Sequence, residues 1–138
     1  MSYTITSSER NNKSASEHET KALLYLMNFH YSSEEISFFV IDFFNDVTAL
    51  NAFATEAYDI QSKANKDVSP KTLGRELVTL YKNFISEFNF KSYIIFLGGV
   101  ADSVRIDSNK TEFKWDDIKP ASQIKIKNGL IILLNYKV

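Results

Sequence analysis

The sequence predicts an α/β domain, a central mixed β-sheet flanked by helices on both sides, and three observations predict it. A run dense in β-branched and aromatic residues, Ile36 to Val47, is followed across a short turn by a second strand-like run from about Phe53 to Lys63. An amphipathic helical stripe comes next, and after it a short apolar segment, Lys91 to Leu97, closed by Gly98 and Gly99. Strand, helix and strand in that order make a crossover unit, so the last strand is expected to lie parallel to the one before the helix.

Taken in order, residues 1–15 are polar and hold almost nothing to bury, which predicts a flexible lead-in. Ser16 with Glu19 three residues on has capping-box spacing, and Ala22, Leu23, Leu26, Met27 and His30 then recur with helical periodicity. Tyr31 to Glu35 ends that helix. Ile36 to Val47 reads as a strand buried on both faces, with Asn45 and Asp46 at its polar end. Residues 48–53 turn the chain into the second, antiparallel strand. Ser69 and Pro70 are an N-cap and a first-turn proline, opening a helix whose stripe is Leu73, Leu77, Leu80, Tyr81, Phe84, Ile85 and Phe88.

Beyond Gly99 the pattern weakens. Asp102 to Asp117 and the neighbourhood of Pro120 read as loop, and Ile124 to Leu134 around Asn128-Gly129 reads as a hairpin with a tight turn, or else as the start of a helix. The expected organisation is a lead-in over 1–15, a core over 16–99 and a C-terminal extension over 100–138. The extension stops right after an apolar run, as a truncated chain would.

Composition narrows the chemistry. Sixteen Lys plus Arg against seventeen Asp plus Glu leave a net charge of −1, so no overall field advertises a nucleic-acid or membrane partner. The absence of cysteine excludes disulfide scaffolds, thiolate metal sites and thiol nucleophiles, which leaves oxygen and imidazole groups. The two histidines, His18 and His30, lack the short spacing of a paired metal site. The start is not a signal peptide and no apolar run spans a bilayer, so the expectation is a soluble, cytoplasmic protein with no membrane partner.

One strand is anomalous. Side chains alternate across a strand, so Asp59, Gln61 and Lys63 share one face and Tyr58, Ile60 and Ser62 the other. Burying a carboxylate, an amide and an ammonium side by side costs several kcal/mol unless they pair or coordinate something. The hairpin brings Asp46 toward the same region. Oxygen ligands beside a lysine suit metal-assisted phosphodiester hydrolysis: Mg²⁺ takes hard oxygen donors and keeps several waters, and a lysine orients the attacking water or offsets phosphorane charge. The plainer alternative is a solvent face on an edge strand carrying a surface Asp59–Lys63 pair.

The first helix, Phe-Phe-Asn-Asp-Val at 43–47, Asp-Ile-Gln-Ser-Lys at 59–63, the Ser-Pro-Lys-Thr-Leu helix and the Tyr-Ile-Ile-Phe-Leu-Gly-Gly strand together resemble the PD-(D/E)xK nucleases. More narrowly, they resemble the double-stranded-DNA nuclease domain of bacterial antiphage effectors associated with CD-NTase signalling, in which the motif appears as Gln-x-Lys. The resemblance covers Ser16 to Gly99 and implies a restriction-endonuclease-like fold. It further implies an Mg²⁺- (or Mn²⁺-) dependent DNA endonuclease, with double-stranded DNA as substrate and a sensor domain or partner subunit outside this chain. Self-association is expected of an enzyme that cuts both strands.

Carried over by position, the resemblance makes Asp46, Gln61 and Lys63 the catalytic set, with Asp46 and Gln61 on the metal. Asp59 is a second candidate ligand, and Glu17 or Glu19 a candidate completing acid; first-turn partnership with the helix dipole is the alternative for both glutamates. Lys66, Lys71 and Arg75, with Lys82, are candidate phosphate contacts or simply a solvated face. The chain lacks a Gly-rich lead and an aromatic-Gln pair at its first helix. That supports the rival reading of a non-catalytic or truncated module acting in protein–protein interaction.

Overall fold

A computed structural model describes residues 13–136. Helix α1 spans Lys13–Asn28, so Ser16 lies inside a helix instead of capping it, and most of the predicted lead-in, residues 1–12, lies outside the described residues. Four strands follow: β1 (Ile36–Ile41), β2 (Val47–Asn51), β3 (Ala57–Lys63) and, after two short helices, β4 (Phe90–Leu97). The two helices are α2 (Pro70–Glu76) and α3 (Val78–Phe84), and a long helix, α4 (Pro120–Tyr136), closes the described chain.

The strands form one mixed sheet in the order β1-β2-β3-β4. The β1/β2 and β2/β3 pairs are antiparallel and β3/β4 is parallel, with Gln61 opposite Ile95 and Lys63 opposite Leu97. The parallel crossover is therefore present as the pattern predicts. Against one face α1 packs Ala22 and Leu26 onto Val47, Ala49, Tyr58 and Ile60. Against the other lie α2 and α4, whose Leu73 and Ile126 form a second core with Val68, Val104 and Ile118.

Two expectations are corrected and one open choice is decided. The apolar run from Ile36 to Val47 is not one strand buried on both faces. It bends at Asp42, whose φ of 56° is left-handed and suits an aspartate. The backbone N–H of Asp42 donates to the carbonyl of Asp46, closing a tight loop over 42–46. Phe44 then packs edge-on against Phe88 and Phe90 at 4.7 and 4.9 Å instead of extending the strand. Of the turn expected over 48–53, residues 48–51 join Val47 in β2, and β1 is a sheet edge with Phe38 and Ile41 more than half exposed.

The helix opened by Ser69 and Pro70 starts as predicted, with the Ser69 hydroxyl accepting from the Thr72 N–H, but it breaks at Leu77 and ends at Phe84. Ile85 and Phe88 thus lie beyond the helix, and with Phe84 they are about 60% exposed although the single stripe would have buried them. Finally, Ile124 to Leu134 is helical throughout, the second of the two readings. Gly129 serves a helix crossing, not a hairpin: a Cβ there would overlap the Lys71 carbonyl, as one on Gly74 would overlap that of Ile126.

Candidate active site

The site forms where β2 begins and β3 ends. Val47 pairs with Ile60, so the residue before β2, Asp46, falls opposite Gln61 on the face away from α1. Asp46 stands at the start of β2 and not at the end of β1, because the 42–46 loop reverses the chain before it. Its Oδ2 accepts from Gln61 Nε2 at 2.8 Å and from the Ser62 N–H at 2.6 Å. Among the described residues its Oδ1 accepts nothing. Gln61, 6% exposed, uses its Oε1 to accept from the Thr79 hydroxyl at 2.9 Å. Lys63 Nζ lies 3.3 Å from Glu76 Oε2 on α2.

The backbone fixes where Lys63 stands. The Gly98 N–H donates to the Lys63 carbonyl at 2.8 Å, and a Cβ on Gly98 would overlap the Ala64 carbonyl, so the end of β4 clamps the end of β3 only with glycine at this position. This is the strand-ending turn expected of Gly98-Gly99.

Asp59 is placed differently. It is 0% exposed, with Oδ1 accepting from Asn45 Nδ2 and Oδ2 from Asn83 Nδ2, both at 2.8 Å. Each oxygen is thus held by an amide. The polar face is not a solvent face, and no Asp59–Lys63 ion pair forms among the described residues.

The site is electrostatically unbalanced. Burial raises the Asp46 carboxyl above its ordinary value, and the charges of Asp42 and Glu76 raise it further, against the lowering effect of the Ser62 N–H and Lys63. Glu19 is raised by burial and then by Asp46 and Asp42. Asp59 is raised by burial, offset by its two asparagine donors. Glu19 therefore feels the site, whereas Glu17 is exposed and faces Lys13 at 3.8 Å. Lys66, Lys71, Arg75 and Lys82 are exposed and form no ion pair among the described residues.

The Asp46 oxygen that accepts nothing among the described residues is a hard donor of the kind Mg²⁺ takes, and it stands among the further carboxyls of Glu19, Asp42 and Glu76. No three His, Cys, Asp or Glu side chains among the described residues are grouped to hold an ion by themselves. One carboxylate and one amide would suit a cation that retains most of its water. Gln61 as oriented, however, offers Asp46 its N–H₂ and not its oxygen.

Thr79, Asn83 and Glu76 belong to the constellation and were not singled out from sequence, and Asn45 was named there only as a strand's polar end. The available signal was Thr79 and Asn83, uncharged polar residues four apart and so on one face of a helix. No helix among the described residues is long and apolar enough to cross a membrane. Neither a protein-family model, nor a curated protein, nor a solved structure matches this chain.

Proposed function

We propose that the protein is a metal-dependent DNA endonuclease of the PD-(D/E)xK type, with a restriction-endonuclease-like core, acting as the effector nuclease of a bacterial antiphage defence system. The observation that carries the reading is the meeting of Asp46, Gln61 and Lys63 at one end of the sheet. Gln61 and Lys63 come from β3 and Asp46 from the loop that leads into β2, and the three are braced by Ser62, Thr79 and Glu76. The order helix, antiparallel strands, helices and a parallel strand is that on which the resemblance rests, with one strand more ahead of the helix at Pro70.

In this reading Asp46 and Gln61 hold Mg²⁺ or Mn²⁺, which would polarise the phosphate and acidify a bound water. Lys63, aimed by Glu76, offsets charge on the pentacovalent phosphorane as water adds to phosphorus and the ester oxygen departs. Glu19 is the better-placed completing acid of the two in the first helix. The exposed Lys66, Lys71, Arg75 and Lys82 follow Lys63 along the chain and supply candidate phosphate contacts. A sensor module or partner subunit beyond these residues would decide when the enzyme cuts.

A second reading is favoured by one contact. The Gln61–Asp46 hydrogen bond engages the Gln61 N–H₂ and one Asp46 oxygen without a cation, as expected of a module that kept the fold for protein–protein interaction and lost cleavage.

Plasmid cleavage separates the two. Wild type with Mg²⁺, supplied with its natural partners, should cut DNA and EDTA should stop it; Asp46→Ala and Lys63→Ala should each lose at least about 100-fold in rate. Intact plasmid with wild type, or equal cutting by the variants, rejects the nuclease assignment.

A further inference from the structure

The amide of Gln61 bridges two partners of different character. Its Nε2 donates to a carboxylate oxygen of Asp46, which can only accept, and its Oε1 accepts from the hydroxyl of Thr79, which can do either. As it stands, the amide turns its donor toward Asp46, the reverse of what a cation beside that carboxylate requires. A half-turn about the terminal side-chain torsion exchanges the two ends, and that torsion is soft and roughly two-fold. After the exchange Oε1 lies beside Asp46, while Nε2 donates to a Thr79 hydroxyl that now accepts. Neither arrangement orphans a buried polar atom. Asp46 keeps its 2.6 Å bond from the Ser62 N–H in both, so the carboxylate need not swing.

We infer that Thr79 is a positioning residue that lets Gln61 work in two orientations, closing on Asp46 when no divalent cation is bound and offering its amide oxygen when one is. This rests on the nuclease reading and adds a residue to it. It also explains how a metal ligand is stored in a hydrogen bond that looks complete. The backbone supports the assignment. Thr79 and Asn83 are four apart on α3, about 6 Å along a helix. Gln61 and Asp59 are two apart on β3, about 6.6 Å along a strand. The two polar helix residues are thus spaced to meet the two polar strand residues, Thr79 on Gln61 and Asn83 on Asp59.

The experiment titrates the full chain with Mg²⁺ alone and follows both affinity, by calorimetry, and the Gln61 side-chain N–H₂ resonances, by NMR of ¹⁵N-labelled protein. In wild type the Gln61 resonances should move on saturation as the amide trades Asp46 for Thr79. Thr79→Val takes one partner from each orientation, but the cation-bound one is left with a buried amide N–H₂ that pairs with nothing, a costlier orphan than the amide oxygen left in the cation-free one, so Mg²⁺ binding should weaken by roughly 2- to 12-fold. Thr79→Ser should restore both the affinity and the resonance shift, which a purely structural role for the methyl group would not do. The inference is overturned if Thr79→Val binds Mg²⁺ as tightly as wild type, or if wild type binds the ion with no change at Gln61. If wild type binds no divalent cation, or Asp46→Ala binds it equally well, the nuclease reading itself fails and takes this inference with it.

Discussion

Asp59 shows how much a single buried carboxylate can organise. Fully enclosed, it receives Asn45 from the loop that ends in Asp46 and Asn83 from α3, so one side chain ties the start of β2 and a helix to the middle of β3. Asp59→Ala would strand two amides and open a cavity. The loss should be about 2–4 kcal/mol by urea denaturation at neutral pH, after offsetting the relief of no longer burying a charge. Asp59→Asn removes the charge and keeps the shape, but its N–H₂ meets the N–H₂ of Asn45 or Asn83 unless that amide turns its oxygen inward, so it should cost about 1–2 kcal/mol, less than the alanine variant. A loss of under about 1 kcal/mol for the alanine variant would show that Asp59 is not a strut. The alternation of a strand made Asp59, Gln61 and Lys63 visible in sequence as an oddity. Their partners were hidden because a polar residue on a short helix looks the same whether it faces water or a buried amide.

At the level of elements, the least legible stretch was Ile124 to Leu134. Asn128-Gly129 between apolar residues is a strong local hairpin cue, but tertiary packing decided otherwise: the glycine is needed where α4 crosses α2. Gly74 and Gly129 meet there with the Cα of Gly74 within 3.4 Å of where a Gly129 Cβ would be, and the nearest obstacle is the Lys71 carbonyl, a backbone atom that cannot rotate away. In a free helix, exchanging glycine for alanine stabilises by about 1 kcal/mol. Here the clash reverses the sign, and Gly129→Ala should destabilise by about 1–3 kcal/mol while the exposed Asn128→Ala gains a few tenths. Thermal unfolding of the two variants checks it, and a gain in both would mean that α4 does not cross α2 this closely. The displacement should also reach the site, because α2 carries the Glu76 that aims Lys63. The crossover, by contrast, was legible because a capped helix between two apolar strands admits few arrangements. The bend at Asp42 was not, since Phe43 and Phe44 favour strands wherever they are and only the packing of Phe44 on Phe88 and Phe90 says otherwise.

Across the whole molecule a net charge of −1 conceals two opposing groups of carboxyls. Glu35 and Asp117 are held below the ordinary range by Lys91 and Lys110, so they favour the folded state above that range and lose this contribution on acidification. Asp46, Asp59 and Glu19 are raised, chiefly by burial, and their sign is opposite. The folded chain keeps their protons at pH values where the unfolded chain has released them, so their contribution to stability is present at low pH and is lost as pH rises through the raised values. A cation at Asp46 would offset that loss, and only when the carboxyls are ionised. The difference in Tm with and without Mg²⁺ therefore isolates the site, because the surface pairs contribute equally to both measurements. It should be near zero at roughly pH 4 and grow as pH passes through the raised carboxyl range to roughly pH 7. With Mg²⁺ at about 100 times its Kd, linkage adds about 2.7 kcal/mol. For a domain of this length that corresponds to a shift on the order of 10 °C. Asp46→Ala should abolish the shift at every pH. A shift of the same size at both ends of the pH range would place the cation away from these carboxyls, and no shift at neutral pH would leave the acidic cluster without the ligand proposed for it.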